Sequence, residues 1–410
     1  MKKKYVLVGC GSRGIESYAQ PLVKEYGDCA EFCGIYDTNW KRCEYLCAQV
    51  GKEIPVYSDF DEMLREAKPD VVIVTSVDCT HDIYAVRAME FGCDVIVEKP
   101  LATTFDKSLA IYDAKMRTGR DVIVTFNLRF QPLFARVKEL LKGGIIGTVL
   151  NVHFEWMLDT IHGADYFRRW HRMRENSGSL LVHKSSHHFD LVNWYLEEDP
   201  VSVNAIGTRR FYGPTRKERG ERCLTCAYQK MCEFYMDVRK SSLYYTTEDV
   251  DGYYRDQCIF SEKIDIEDSV SVNVEYSGGA IMSYSLIAHS PCEGARLVLN
   301  GSEGRLEVSR IRKRAGVFTE GYGERAACSL KVFNRRGELI QINTPEESIA
   351  GHGGADGPMR DHIFRKRGED PLGQMADLRS GMMAVAIGMA ANISMKESRR
   401  VRVDEYYREL

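Results

Sequence analysis

The stretch KYVLVGCGSRG, residues 4–14, decides how this chain is read. Residues 4–9 form an apolar run with the length and branching of a buried strand, and residues 14–26 carry the pattern of a helix. Between them Gly9, Gly11 and Gly14 give the spacing G-x-G-x-x-G, with Ser12 and Arg13 in the turn. That spacing is common. Between a strand and a helix it acquires a physical meaning, because glycines permit a tight turn and a close backbone approach. The free amides that open the helix then face a pyrophosphate. Asp37 closes the next strand, residues 31–37. A carboxylate there accepts hydrogen bonds from the adenine ribose hydroxyls and repels a 2′-phosphate, so NAD is expected ahead of NADP, even with Lys41 and Arg42 close by. A glycine turn without a ligand is the plainer reading; strand, helix and acid in register outweigh it.

The alternation continues outward. A helix over residues 58–67 opens at Ser58 or Asp59, and DVVIVT, residues 70–75, is a β-branched run buried on both faces. Helix 81–91, strand 94–98, helix 104–118 and strand 121–126 follow. This predicts a parallel sheet with helices on both faces. Beyond about residue 130 the pattern changes. A helix over 133–142 precedes strand-like runs at 148–157, 200–211, 268–276, 280–288, 295–300 and 304–308, with Gly278-Gly279 as a hairpin turn. A Met- and Ala-rich helix spans 374–396. The second half therefore reads as a largely antiparallel open sheet with a few helices. The expected division is 1–128 and 129–410.

Composition sets the limits. The chain has 410 residues, 44% hydrophobic and 28% charged, with net charge −3. No global basic field argues for nucleic acid, and the basic cluster Arg310–Arg314 reads as a solvated face. No run reaches the length of a membrane span, and the first apolar run is too short for a signal peptide. A cytoplasmic protein without nucleic-acid or membrane partners is expected. An open sheet face makes a homo-oligomer the expected assembly.

Glu98-Lys99-Pro100 ends a central strand, at the sheet edge where open α/β sheets bind ligands. Here the chain resembles the Gfo/Idh/MocA oxidoreductases. The matching pieces are GCGSRG, Asp37, TSVDCTHD (75–82, including Thr75, Ser76 and His81), EKP (98–100) and FNLRFQP (126–132, including Asn127 and Arg129). The resemblance implies a Rossmann domain followed by an α/β domain with an open sheet. It also implies an NAD(P)-dependent enzyme acting on a sugar, cyclitol or related polyol. By position, Lys99 would contact the substrate hydroxyl and His187 would be the family's histidine. The family's Asp-x-x-x-His is here His183-x-x-x-His187, which alters charge and reach at the substrate and leaves the division of acid–base work open.

Around those histidines the sequence is SGSLLVHKSSHHFDLVNW, residues 177–194. A helix over 178–196 would set His183 and His187 on one face, with Asp190 near it. Catalysis at His187, metal binding and a satisfied core are the competing readings. Lys184 after His183 disfavours a metal; His188 reads as structural and His183 as a substrate contact that shares in catalysis. YFRRWH, residues 166–171, offers Tyr166, Arg169 and Trp170 to a carbohydrate, and the glycine-rich loop 351–362 offers His352. Both stretches also read as packed turn or linker.

The chain has 13 cysteines, mostly scattered. Cys223, Cys226, Cys232 and Cys258 break the scatter, inside a polar insertion at about 212–262 that has few aliphatics. Four thiolates would suit a structural zinc stapling the insertion, with an iron–sulfur cluster as the alternative using the same ligands. Unliganded thiols are the plainer reading. The function expected is hydride transfer between a ring carbon of a sugar, glycoside or cyclitol and nicotinamide. The rivals are a redox-neutral enzyme that cleaves or epimerises a glycoside through a transient 3-keto sugar, and a non-catalytic NAD sensor.

Overall fold

The computed structural model describes residues 2–313, 326–345, 351–365 and 369–407, with the side chains of Lys313 and His352 outside the described set. The expected alternation is present in the first half. Strands β1 (Lys3–Val8), β2 (Ala30–Tyr36), β3 (Val71–Val74), β4 (Asp94–Val97) and β5 (Val122–Val124) run parallel in the order β5-β4-β3-β1-β2. All four residues of β3 are buried, as a strand covered on both faces requires. The helix after the glycine turn covers 12–24, two residues earlier than the periodicity suggests, with Gly11 extended as its cap. Asp59 caps the helix Phe60–Ala67 by accepting from the Glu62 amide at 2.8 Å.

Strands β6 (Val149–Asp159), β7 (Pro200–Thr208), β8 (Ser269–Tyr276), β9 (Ile281–Ser290), β10 (Cys292–Gly301), β11 (Gly304–Lys313), β12 (Ala327–Asn334) and β13 (Leu339–Gln341) form most of the second sheet. The short β14 (Ala376–Asp377) and β15 (Val401–Arg402) come last. The second sheet has nine strands in the order β13-β12-β11-β10-β6-β9-β8-β7-β15 and is antiparallel except for the pair β6–β9. Gly279, at φ +92°, turns the β8–β9 hairpin. β14 crosses back and pairs antiparallel with β5, so the last part of the chain closes the edge of the first sheet.

The expected late helix is Leu378–Glu397, capped by Asp377, which accepts from the Ser380 amide at 2.9 Å. The helix therefore starts four residues later than expected, after the two residues of β14. This helix fixes the histidine segment. A Cβ at Gly388 would lie 2.3 Å from the Leu181 carbonyl oxygen, so only glycine lets the two backbones approach so closely.

Between β7 and β8 runs the insertion, residues 209–268, with only short helices. Its apolar residues are buried against the rest of the chain: Tyr212, Ile259, Phe260, Ile264 and Ile266 join the main core, and Leu243 joins a core of the first domain. Two buried aspartates fasten its loops. Asp268 accepts from the amides of Arg210, Phe211 and Tyr212 at 2.7–3.0 Å, and Asp256 accepts from Leu224 and Arg222.

Candidate functional site

A cleft of about 1200 Å³ runs from the C-terminal ends of β1–β4 to the histidine segment. Its first half is mostly backbone. Gly9 has φ +92°, and a Cβ there would lie 2.6 Å from the Ser76 nitrogen. A Cβ at Gly14 would lie 2.3 Å from the Gly9 carbonyl oxygen. The strand, turn and helix are thus packed closer than any side chain permits, and Gly9, Gly11, Ser12 and Arg13 line the cleft. Asp37 sits at the rim, its two oxygens accepting from the Cys10 and Asn39 amides at 2.7 Å each. Burial raises its pKa against those hydrogen bonds and Arg42. A turn that closes on glycine and opens a helix, with a fixed carboxylate beside it, fits a dinucleotide's pyrophosphate and ribose.

Further in, the site is made of side chains. Arg13 turns from the glycine loop to Glu98, 2.7 Å away, and to Asp356, 3.2 Å away. Tyr18 donates to the same Glu98 oxygen at 2.7 Å. Burial pushes Glu98 up, but Arg13 and Tyr18 outweigh it and hold it below the usual carboxylate range. Asn127 donates to Asp356 at 2.8 Å, which ties the segment after β5 to the helix Asp356–Arg365, formed where the sequence suggested a glycine-rich loop.

The innermost group is a chain of three residues. Asp78, in the turn after β3, lies 2.5 Å from His183 Nδ1. Lys99 Nζ lies 3.4 Å from His183 Nε2 and donates to the His183 carbonyl at 3.1 Å. With Lys99 an ammonium, its N–H faces the Nε2 lone pair and the imidazole hydrogen belongs on Nδ1, toward Asp78. Burial, then Lys99 and His171, hold His183 well below 6.5, so it is neutral near pH 7. Burial also lowers Lys99 from 10.5, resisted by Asp78 and Glu98. Burial drives Asp78 upward against the pull of Lys99 and Arg169.

The cleft is lined by Gly9, Gly11, Ser12, Arg13, Asp37, Thr75, Ser76, His81, Glu98, Lys99 and Asn127, and also by Tyr166, Arg169, Trp170, His183 and His187. Gly14 stands just behind the lining. Other expectations are corrected. Residues 178–196 are not one helix: Leu180–His183 ends at Lys184, and a second helix, Ser186–Leu196, begins after Ser185. At the break the Ser185 hydroxyl bonds the Tyr284 hydroxyl at 2.9 Å. His183 and His187 still reach the same cleft, from separate helices. Arg129 does not line it. Its guanidinium is buried in a two-pronged pair with Asp190 at 2.6 and 2.8 Å and donates to the Gly373 carbonyl at 2.9 Å. His188 is structural, stacked on Trp156 at 3.9 Å and bonded to Tyr284 at 2.7 Å. The His352 side chain lies outside the described residues.

Several lining residues escape the sequence reading: Asp78, His162, Tyr244 and Tyr253; His171 stands in the YFRRWH stretch that it offered. Asp78 lies inside the quoted TSVDCTHD, and its position at the end of a buried strand was the available signal. The others become neighbours only through tertiary packing.

The metal expectation is corrected as well. Cys223, Cys226, Cys232 and Cys258 do border one small cavity, of about 20 Å³. Among the described residues, however, no group of three or more His, Cys, Asp or Glu side chains is disposed to hold a metal ion. Arginines take the sulfurs instead: Arg168 donates to Cys223 at 3.4 Å and Arg216 to Cys232 at 2.9 Å. The aspartate-fastened loops and aromatic core supply the stapling that a metal was expected to provide. Among the described residues no helix is long and apolar enough to cross a membrane.

Comparison with known proteins gives the same outline. Residues 3–126 match the oxidoreductase family's NAD-binding Rossmann fold, and residues 138–403 match its C-terminal α/β domain, both of the Gfo/Idh/MocA group. The chain is 35% identical to "Putative oxidoreductase YteT" of Bacillus subtilis, over 99% of each chain. It is 30% identical to inositol 2-dehydrogenase 2 of Saccharopolyspora erythraea, over 50% of this chain and 57% of that one. Among solved structures, an Agrobacterium radiobacter oxidoreductase in complex with NAD+, L-tartaric acid and magnesium superposes with TM-score 0.68 at 17% identity, covering 99% of each chain. The WlbA dehydrogenase of Bordetella pertussis, in complex with NADH and UDP-GlcNAcA, gives 0.65 at 18% identity over 98% of this chain and 99% of that one.

Proposed function

The chain belongs to the Gfo/Idh/MocA oxidoreductase family with an NAD-binding Rossmann domain, and on that premise we propose that it oxidises a secondary hydroxyl of a sugar, glycoside or cyclitol. The observation that carries the reading is the Lys99–His183 pair, 3.4 Å apart, in the same cleft as the glycine cradle. Relatives named inositol 2-dehydrogenase favour a ring polyol.

The bound dinucleotide supplies the hydride acceptor. The chain's residues manage the hydroxyl. Seated between Lys99 and His183, it would receive a hydrogen bond from the ammonium, which stabilises charge developing on oxygen. Its proton passes to His183 Nε2 as the C–H pair leaves as hydride, and a carbonyl remains. Asp78 positions His183 and offsets the imidazolium. His187 and Arg169 line the same space and would contact other hydroxyls. His183, a substrate contact that shares in catalysis in the sequence reading, is thus the better-supported proton acceptor, because Asp78 lies 2.5 Å from its Nδ1 and Lys99 3.4 Å from its Nε2.

The test is absorbance of NADH when purified protein is mixed with NAD and a panel of cyclitols, free sugars and methyl glycosides. A rise confined to a few related compounds is expected. His183→Ala should then lose more turnover than His187→Ala while both still bind NADH. A flat trace with every compound would overturn net oxidation.

A further inference from the structure

The insertion between β7 and β8 does not stay with the second sheet. Its residues 242–255 cross to the first domain and lie along the rim of the dinucleotide cleft. Four ties reach the turn and helix that follow Asp37. Asn39 Nδ2 donates to the Thr247 carbonyl at 2.9 Å, both residues being buried. Arg42 meets Asp251 at 2.6 Å and Lys41 meets Asp249 at 2.6 Å. The Tyr45 and Ser242 hydroxyls are 2.8 Å apart. The Lys41 pair is exposed and contributes little alone; the buried Asn39 bond and the largely buried Arg42 pair are the firmer ones.

A fifth tie lands in the cradle. The Tyr244 hydroxyl accepts from the Ser12 amide at 3.2 Å and shares a hydrogen bond with Ser12 Oγ at 3.0 Å. The Ser12 amide is one of the donors that open the helix after the glycine turn, where a phosphate oxygen would sit. The phenol oxygen has taken that position. Behind it, the Arg255 guanidinium stacks on the Tyr244 ring at 4.5 Å and is paired with Asp165 at 3.1 Å. Packing an insertion against its own domain would need none of this.

We propose that residues 242–255 form a clasp that retains the dinucleotide, with Tyr244 as a cofactor-binding residue. On binding, a phosphate oxygen takes the Ser12 amide and the Tyr244 hydroxyl donates to that phosphate. The ties at 39–45 then hold the segment across the cleft, so the dinucleotide leaves slowly. The inference does not depend on which hydroxyl the site oxidises, because release is read without substrate.

The experiment is stopped-flow release of NADH, displaced by excess NAD and followed by loss of NADH fluorescence, with the dinucleotide content of the protein as purified measured after acid extraction. Tyr244→Phe keeps the ring and removes the hydroxyl; Asn39→Ala with Asp249→Ala removes two ties. Each is expected to speed release about 10-fold, the size of one lost hydrogen bond to a buried or charged group, with a smaller change in association. Release at the wild-type rate from Tyr244→Phe overturns the proposal, whether or not the Asn39 variant folds. So does a wild-type protein that fails to bind NADH.

Discussion

Asp37 and Asp78 each follow a strand of the first sheet, and each has its side chain largely buried, yet they are held in different ways. Asp37 is fixed by two backbone amides of its own domain, Asn39 two residues on and Cys10 in the glycine turn of the neighbouring strand. Asp78 is fixed by a side chain 105 residues away, His183, which the second domain delivers. The carboxylate at the dinucleotide end is therefore held by the backbone of the first domain, and the one at the reacting end by the meeting of two domains. Damage to the first should appear in binding, damage to the second in turnover.

The strongest way to break that comparison is Lys99→Ala. It removes the cation beside His183 and leaves the cradle untouched. Turnover should fall by about 10³-fold, with the NADH dissociation constant changed less than about threefold. Steady-state kinetics beside fluorescence titration decides it; a parallel loss of binding would show that the two ends are not separable.

A third aspartate sharpens the point. Asp190 lies on the histidine segment but faces Arg129, and both side chains are buried. Removing one partner of such a pair strands a charge, so Arg129→Ala should cost about 3–5 kcal/mol of stability in urea. Any variant molecules that remain folded should turn over nearly normally. Kinetics as damaged as those of Lys99→Ala would return Arg129 to the site.

What could be read from the sequence follows the same divide. The glycine turn, Asp37, the buried run before Asp78 and Lys99 are all encoded by neighbours within a few residues. So is the hairpin at Gly278-Gly279. The break at Lys184-Ser185 is not: the Ser185 hydroxyl there meets its partner, Tyr284, 99 residues away. Arg129 and Asp190 are each plausible site residues alone and satisfy one another only when folded. The cysteines mislead for a related reason. Their spacing is local, but the arginines that occupy their sulfurs come from Arg168 and Arg216, outside the cluster.

Asp78→Asn probes the joint between domains. The amide keeps the shape and loses the charge. Turnover should fall about 10–100-fold, with KM changed less, because an orienting partner is lost rather than a reacting group. The pH profile carries the sign. His183 must be neutral to accept a proton, so activity falls as pH drops through its pKa, which burial already holds below 6.5. Lys99 must be charged, so activity falls again as pH rises through a pKa that burial holds below 10.5. An anion beside each favours its protonated form. Removing Asp78 should therefore move both limbs to lower pH. A profile that only scales down, without moving, would assign Asp78 a purely steric part.

The smallest effect is expected at Asp37. Asp37→Ser removes the carboxylate that a ribose hydroxyl would bond and a 2′-phosphate would meet. The preference for NAD over NADP, read from the two dissociation constants, should drop about tenfold, the worth of a hydrogen bond to a charged group. It should not invert. The cations that could welcome a 2′-phosphate are already engaged: Lys41 by Asp249 and Arg42 by Asp251, both from the insertion. Adding Asp251→Ala frees Arg42, whose Nη1 lies 3.9 Å from Asp37, and should raise NADP affinity further. If the second substitution changes nothing, the insertion's carboxylates have no say in cofactor choice, and discrimination rests on Asp37 and its two amides alone.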